Sequence, residues 1–164
     1  MQPIEELRYL ILAAQREGSR LLAEALRPLH VTPSQVEALR VLQDHEPLSL
    51  IALGDLLVCE TGSPSRLVQG LVEDGLVERI PSSTDKRMVT LTLTNLGRET
   101  AAKVGALESQ FYAATAGLLK DAPLPEILDL LWRFVEGRPA GMALARRTGR
   151  ETIGEMSAPQ SMSL

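Results

Sequence analysis

Two short groups of polar side chains stand out by type and spacing: Ser63, Ser65, Arg66 and Gln69, and then Asp85, Lys86 and Arg87. At about 100° per residue, Leu67, Val68, Leu71 and Val72 fall on one side of a helix, with Arg66 almost opposite them. Gln69, Glu73 and Gly62 flank Arg66 on that outer side. A guanidinium forks onto a guanine edge, and a long amide also reaches base edges. Ser63 and Ser65, at the margins of the same face, suit phosphate oxygens near a helix N-terminus, where backbone N–H groups point outward. Lys86 and Arg87 close a run of turn formers, Pro81-Ser82-Ser83-Thr84-Asp85, so they belong to a loop tip. The chemistry on offer is recognition of a polyanion by hydrogen bonds and charge. A plain solvated helix carries the same residue types, so position has to decide.

No arrangement for bond-making chemistry accompanies them. His30 and His45 lie far apart, with no H-E-x-x-H and no cysteine pair; Asp44 or Glu46 would have to complete any zinc site. Gly62-Ser63-Pro64-Ser65 is no nucleophile elbow, because no strand precedes it. Cys59 is the single cysteine, which excludes an intramolecular disulfide and fits a reducing cytoplasm. It precedes the candidate helix, whose N–H groups lower a thiol pKa, but a buried thiol is the simpler reading. The expectation is a non-enzyme without metal or cofactor.

The elements that must position these groups are legible from caps and periodicity. Ser63 reads as N-cap and Pro64 as first helical residue, and Gly75 stops that helix. Val77 to Ile80 reads as a strand, and Val89, Leu91 and Leu93 alternate with Thr90 and Thr92 as a half-buried one. A helix followed by a basic-tipped hairpin is a winged helix-turn-helix in outline. Upstream, residues 4 to 27 form one long helix that Pro28 ends. Thr32-Pro33-Ser34-Gln35 opens the next as a capping box, running to about Asp44. Ser49 caps a short helix from Leu50 to Val58. Downstream, Thr94 caps a helix over 95–119, and Ile127, Leu128, Leu131, Phe134 and Val135 mark a last amphipathic one. Beyond Gly137 the chain turns small, polar and basic, with 155–164 expected to be loose.

At 164 residues the chain suffices for a real core. Only five aromatics are present, so Leu, Val and Ala must fill that core, which favours helices. The net charge of −4 argues mildly against a nucleic-acid partner. Residues 61–104 nonetheless carry six cations against five carboxylates, a net of +1, so the acid lies elsewhere. No signal peptide and no bilayer-spanning run is evident.

Two segments together resemble the MarR family of bacterial transcriptional regulators. VTPSQVEALRVL at 31–42 is similar to that family's second helix, and Asp85-Lys86-Arg87, then Leu93-Thr94 and Gly97, to its wing signature. Ser65-Arg66-Leu67-Val68, Leu71 and Gly75-Leu76-Val77-Glu78-Arg79 match its recognition-helix pattern. The resemblance implies a mainly α fold with a small β-hairpin wing. Residues 1–30 and 105–136 would be dimerisation helices, 31–104 the DNA-binding lobe, and 137–164 a partly disordered extension. Ser63, Ser65, Arg66 and Gln69 would face the major groove of double-stranded DNA. Arg87, held by Asp85 and beside Lys86, would enter the minor groove or grip its phosphates.

The implied protein is a cytoplasmic homodimer acting as a ligand-responsive repressor on a palindromic operator. Arg8, Tyr9, Arg16 and His30 are the polar residues that could meet a small anionic aromatic ligand. Gly70 departs from the pattern, because many members carry a cation there. A winged-helix protein-interaction module without DNA binding is the alternative.

Overall fold

The computed structural model describes residues 1–58, 63–81 and 89–150. Its elements are α1 (Pro3–Leu26), a 3-10 turn (Arg27–Leu29), α2 (Pro33–His45), β1 (Leu48–Ser49), α3 (Leu50–Gly54) and α4 (Pro64–Glu73). They continue with β2 (Val77–Pro81), β3 (Val89–Leu93), α5 (Asn95–Leu118), α6 (Leu124–Val135) and α7 (Pro139–Thr148).

Hydroxyl caps start α2, α3 and α5 where the spacing predicts. Gln35 N donates to Thr32 Oγ1 at 3.3 Å, and Thr32 N donates to the Gln35 side chain at 2.9 Å, a reciprocal capping box. Ser49 Oγ accepts from Ala52 N at 3.1 Å, and Thr94 Oγ1 from Gly97 N at 3.0 Å. Gly75 ends α4 at φ +69, with Leu76 N bonded to Leu71 O and Gly75 N to Val72 O. That pair of bonds is a Schellman motif, which a residue with a Cβ adopts only at a cost.

The core lies where α2, α4, α5 and the sheet meet. Leu39, Leu42, Leu53, Val68, Leu71 and Val104 are fully buried in it. Leu26 joins them and Leu22 packs against them, so the last turns of α1 belong with this lobe. Gly97 is needed for close approach: a Cβ there would overlap the Leu76 carbonyl. Across the lobe, Glu46 accepts from Leu93 N at 2.6 Å and pairs with Arg98, joining the end of α2 to β3 and α5.

Four details differ from the sequence expectation. The wing is part of a three-stranded antiparallel sheet ordered β1-β3-β2, with Leu48 opposite Leu91 and Ser49 opposite Thr90. A two-residue strand is too short to show alternation, so only its partner reveals it. Second, α3 stops at Gly54 rather than Val58, because Leu56 and Leu57 leave the helix to pack on the core. Third, Val89 is exposed although Leu91 and Leu93 are buried, since the inward face of β3 meets the core only from Leu91 onward. Fourth, Pro139–Thr148, within a stretch whose helicity the sequence leaves open over 140–153, is helical, with Ala143 and Ala145 buried.

The remaining helices present a different surface. Ile4, Leu10, Leu12 and Leu21 of α1 are exposed, as are Tyr112 and Leu118 of α5. In α6, Leu124, Leu128, Leu130, Leu131 and Phe134 are all exposed, and none of its residues is buried.

Candidate nucleic-acid interface

Helix α4 is clamped from behind and open in front. Val68 and Leu71 are fully buried while Leu67 and Val72 are half-buried, so the apolar stripe read from the sequence faces the core. Pro64 in its first turn rests on α3, 3.4 Å from where a Gly54 Cβ would stand. At its other end the Gln35 amide donates to Asp74 at 2.8 Å. Ser63, Ser65, Arg66 and Gln69 are all exposed on the outer face. Ser63 stands at the N-cap position in extended conformation, yet its side chain makes no cap bond; its carbonyl accepts from Arg66 N and Leu67 N. A phosphate at this end would meet N–H groups not tied up by that hydroxyl.

Tertiary structure adds a cation that the helix face alone did not show. Arg79 on β2 donates to Gln69 Oε1 at 3.1 Å, while Gln69 Nε2 donates to Glu73 at 2.8 Å. Arg79 shares the sheet face of Val77, two residues before it, and that face turns toward α4. The period-2 alternation from Val77 was the available signal. Gln69 therefore arrives at a ligand oriented, with both ends of its amide engaged, and must exchange those partners to bond a base edge. Gly70 lies on the flank toward α2, its missing Cβ 4.0 Å from the Gln35 amide. The absent cation thus leaves the outward centre of the face, Arg66, intact.

Asp85, Lys86 and Arg87 lie outside the described residues, as does Cys59. The ladder of β2 with β3 can be followed to its last described pair, Pro81 opposite Val89.

The four residues considered for a small ligand are not gathered within one chain. Arg8 stacks over the Tyr9 ring at 4.3 Å, both on the exposed side of α1. Arg16 is exposed further along, and His30 lies beyond the helix end in the left-handed region at φ 54. At a rise of about 1.5 Å per residue, roughly 25 Å of helix separates Tyr9 from that end. A cavity of ≈ 270 Å³ is lined by Asp129, Trp132, Arg133, Glu136 and Arg150, none of the four.

A second polar cluster comes from three distant stretches and so left no sequence signal. Arg40 of α2 pairs with Glu108 of α5 at 3.3 Å. Nearby Tyr112 has its phenol held above the usual range by partial burial and then by Glu108, against the pull of Arg40 and Arg147. Among the described residues, no group of three His, Cys, Asp or Glu is placed to hold a metal ion. No described helix is long and apolar enough to cross a membrane.

Comparison with known proteins bears on the same lobe. Residues 31–89 match the model of the MarR family. The organic hydroperoxide resistance transcriptional regulator of Bacillus subtilis (strain 168) is 30% identical over 92 residues, 56% of this chain and 63% of that protein. The multiple antibiotic resistance protein MarR of Escherichia coli (strain K12) is 34% identical over 88 residues, 54% of this chain and 61% of that one. The matched stretch spans less than two thirds of these curated relatives. Among solved structures, a mutant MarR from Escherichia coli complexed with operator DNA superimposes with a TM-score of 0.66. It is 29% identical, and the superposition covers 80% of this chain and 92% of that one.

Proposed function

We propose that this chain, whose residues 31–89 match the MarR family model, is a member of that family and a sequence-specific DNA-binding transcriptional regulator: a cytoplasmic, homodimeric, ligand-responsive repressor on a palindromic operator. One observation carries the reading. Helix α4 is fixed at both ends and along its apolar stripe, while Ser63, Ser65, Arg66 and Gln69 stand free of the core on its outer face. A helix held that rigidly with that polar face fits a major groove, Arg66 taking a guanine edge and the serines taking phosphates. Arg79 extends the same face with a second cation. On the wing, Lys86 and Arg87 supply phosphate or minor-groove contacts, with Asp85 orienting Arg87 by a charge-assisted bond. The related MarR complexed with operator DNA supports this assignment.

The exposed apolar faces of α1, α5 and α6 support the dimer, because water-facing leucines over three helices are normally covered by a partner. Two lobes held by such a dimer meet half-sites about one helical turn, ~34 Å, apart. A small anionic aromatic ligand would shift that spacing by its differential affinity for two arrangements. Arg8, Tyr9, Arg16 and His30 would take part in it only where the second chain brings them together.

Selection of bound sequences from random duplex DNA, using the full chain, tests the proposal. A palindromic consensus is expected; no enrichment would overturn it. The alternative, an interaction module that binds no DNA, draws support from the net charge of −4. It predicts a nearly flat salt dependence for nonspecific duplex binding, where a regulator gives a steep slope.

A further inference from the structure

The C-terminal helix does more than extend the dimerisation helices. It is joined to α6 through a tight corner: Gly137 turns at φ +69, Arg138 N donates to Val135 O at 3.0 Å, and a Cβ at Gly141 would overlap that same carbonyl. At its far end Arg150 reaches back to α6, over the Trp132 ring at 4.7 Å and 3.8 Å from Asp129. Both ends of α7 are thus fastened to α6.

The last turn of α7 grips the lobe at two points. Arg146 Nη1 donates at 3.1 Å to the carbonyl of Asp55, the C-cap of α3. A cation at a helix C-terminus satisfies an orphan carbonyl and suits the local dipole. The neighbouring residue, Gly54, is the one on which Pro64 of α4 rests. Arg147 Nη1 donates at 2.7 Å to Glu37 Oε1, and that same oxygen accepts from Val58 N at 2.8 Å. The Glu37 side chain is only 10% exposed while that of Arg147 is 31% exposed, so the carboxylate is the better shielded partner. The Val58 backbone, just after α3, is therefore held from α7 through a carboxylate of α2.

We propose that α7 is a strap that makes α6 and the recognition helix of the same chain move together, with Arg147 and Glu37 as its positioning residues. A rearrangement where α6 meets its partner then reaches α4 through Asp55, Gly54 and Pro64, while Glu37 ties Val58, just after α3, to the same strap. In the absence of the strap, α4 keeps its core contacts but loses the restraint that ties its entry to the dimer arm. The effect on DNA rests on the proposed regulatory function; the effect on the backbone does not.

The test uses the full chain with Arg147→Ala, Arg147→Lys, Glu37→Gln and the double Arg147→Ala/Glu37→Gln. Amide hydrogen exchange is followed at Val58 and in the first turn of α4, alongside affinity for the selected operator and for an unrelated duplex. Arg147→Ala should speed exchange at both places, leave the dimer mass unchanged, and weaken operator binding by about 2- to 30-fold. The lysine variant should restore part of the protection, and the double variant should be no worse than the poorer single one, because both remove one link. Unchanged exchange in Arg147→Ala, or single effects that add in the double variant, would overturn the strap. Altered exchange in a protein that binds no duplex in any form would uphold the strap and sink the regulatory reading instead.

Discussion

The lobe and the helical arms use the same residues to opposite ends. In the lobe, leucines and valines from α2, α4, α5 and the sheet close on one another until Leu39, Leu42 and Leu71 see no solvent. Helix α6 is more uniformly apolar than any of these, yet it buries nothing. A helix with an apolar face gains its stability from whatever covers that face. The lobe is complete within one chain, whereas α6 and much of α1 leave their apolar faces uncovered, as the proposed dimer would require. Apolar content alone therefore does not locate a core; mutual enclosure does. The polar chemistry divides the same way, with the clamped α4 and its outward Arg66 in the finished region.

The largest effect should come from removing an arm. Deletion of residues 1–20, which spares the buried Leu26 and the adjoining Leu22, should leave a folded lobe by circular dichroism while abolishing the dimer and its operator binding. A monodisperse dimer with undiminished affinity would break the contrast.

Point substitutions sharpen it. Leu39→Ala opens a cavity in the lobe and should lower stability by about 2–5 kcal/mol with the dimer mass unchanged. Leu131→Glu should do the reverse: the dimer dissociates in sedimentation at micromolar concentration, while hydrogen exchange in the lobe core stays slow. Similar unfolding by both would mean that the two regions form one cooperative unit.

Smaller effects separate reading from gripping within the finished region. Arg66→Ala should cost ~1–3 kcal/mol at the operator and relax preference at one base pair per half-site. Arg87→Ala should weaken operator and unrelated duplexes more evenly, lowering the salt slope by ~1 per lost phosphate contact, or ~2 per dimer. Asp85→Ala should reproduce part of that loss. Affinities on both duplexes across a salt series decide, and interchange of the two patterns would reverse the roles. The smallest expected effect is none: Cys59→Ser should leave regulation intact, and loss of peroxide-responsive release in that variant would overturn the reading of a plain thiol.

Much of this fold was legible because its signals are local. A capping box spans four residues, the α4 stripe repeats within three turns, and Gly75 marks its own left-handed turn. Cap and periodicity are set by neighbours in sequence, so Thr32, Thr94, Val68 and Leu71 revealed their places without any partner. The exposed quartet Ser63, Ser65, Arg66 and Gln69 followed from the same stripe, being simply what it leaves outside. β1 did not, because two residues carry no period. Nor did the helix at Pro139–Thr148, whose small and basic composition is ambiguous until Gly141 is seen against the Val135 carbonyl.

The sequence by itself thus determined most of the helices, the buried stripe of α4 and the direction in which Arg66 points. Only the tertiary structure decided which side chains from distant stretches meet. It brought Arg79 from the sheet to Gln69, Gln35 to Asp74, and Arg147 across 110 positions to Glu37. Such contacts are settled by how finished elements pack, and no spacing along the chain encodes them, because each partner's local sequence is equally content with water.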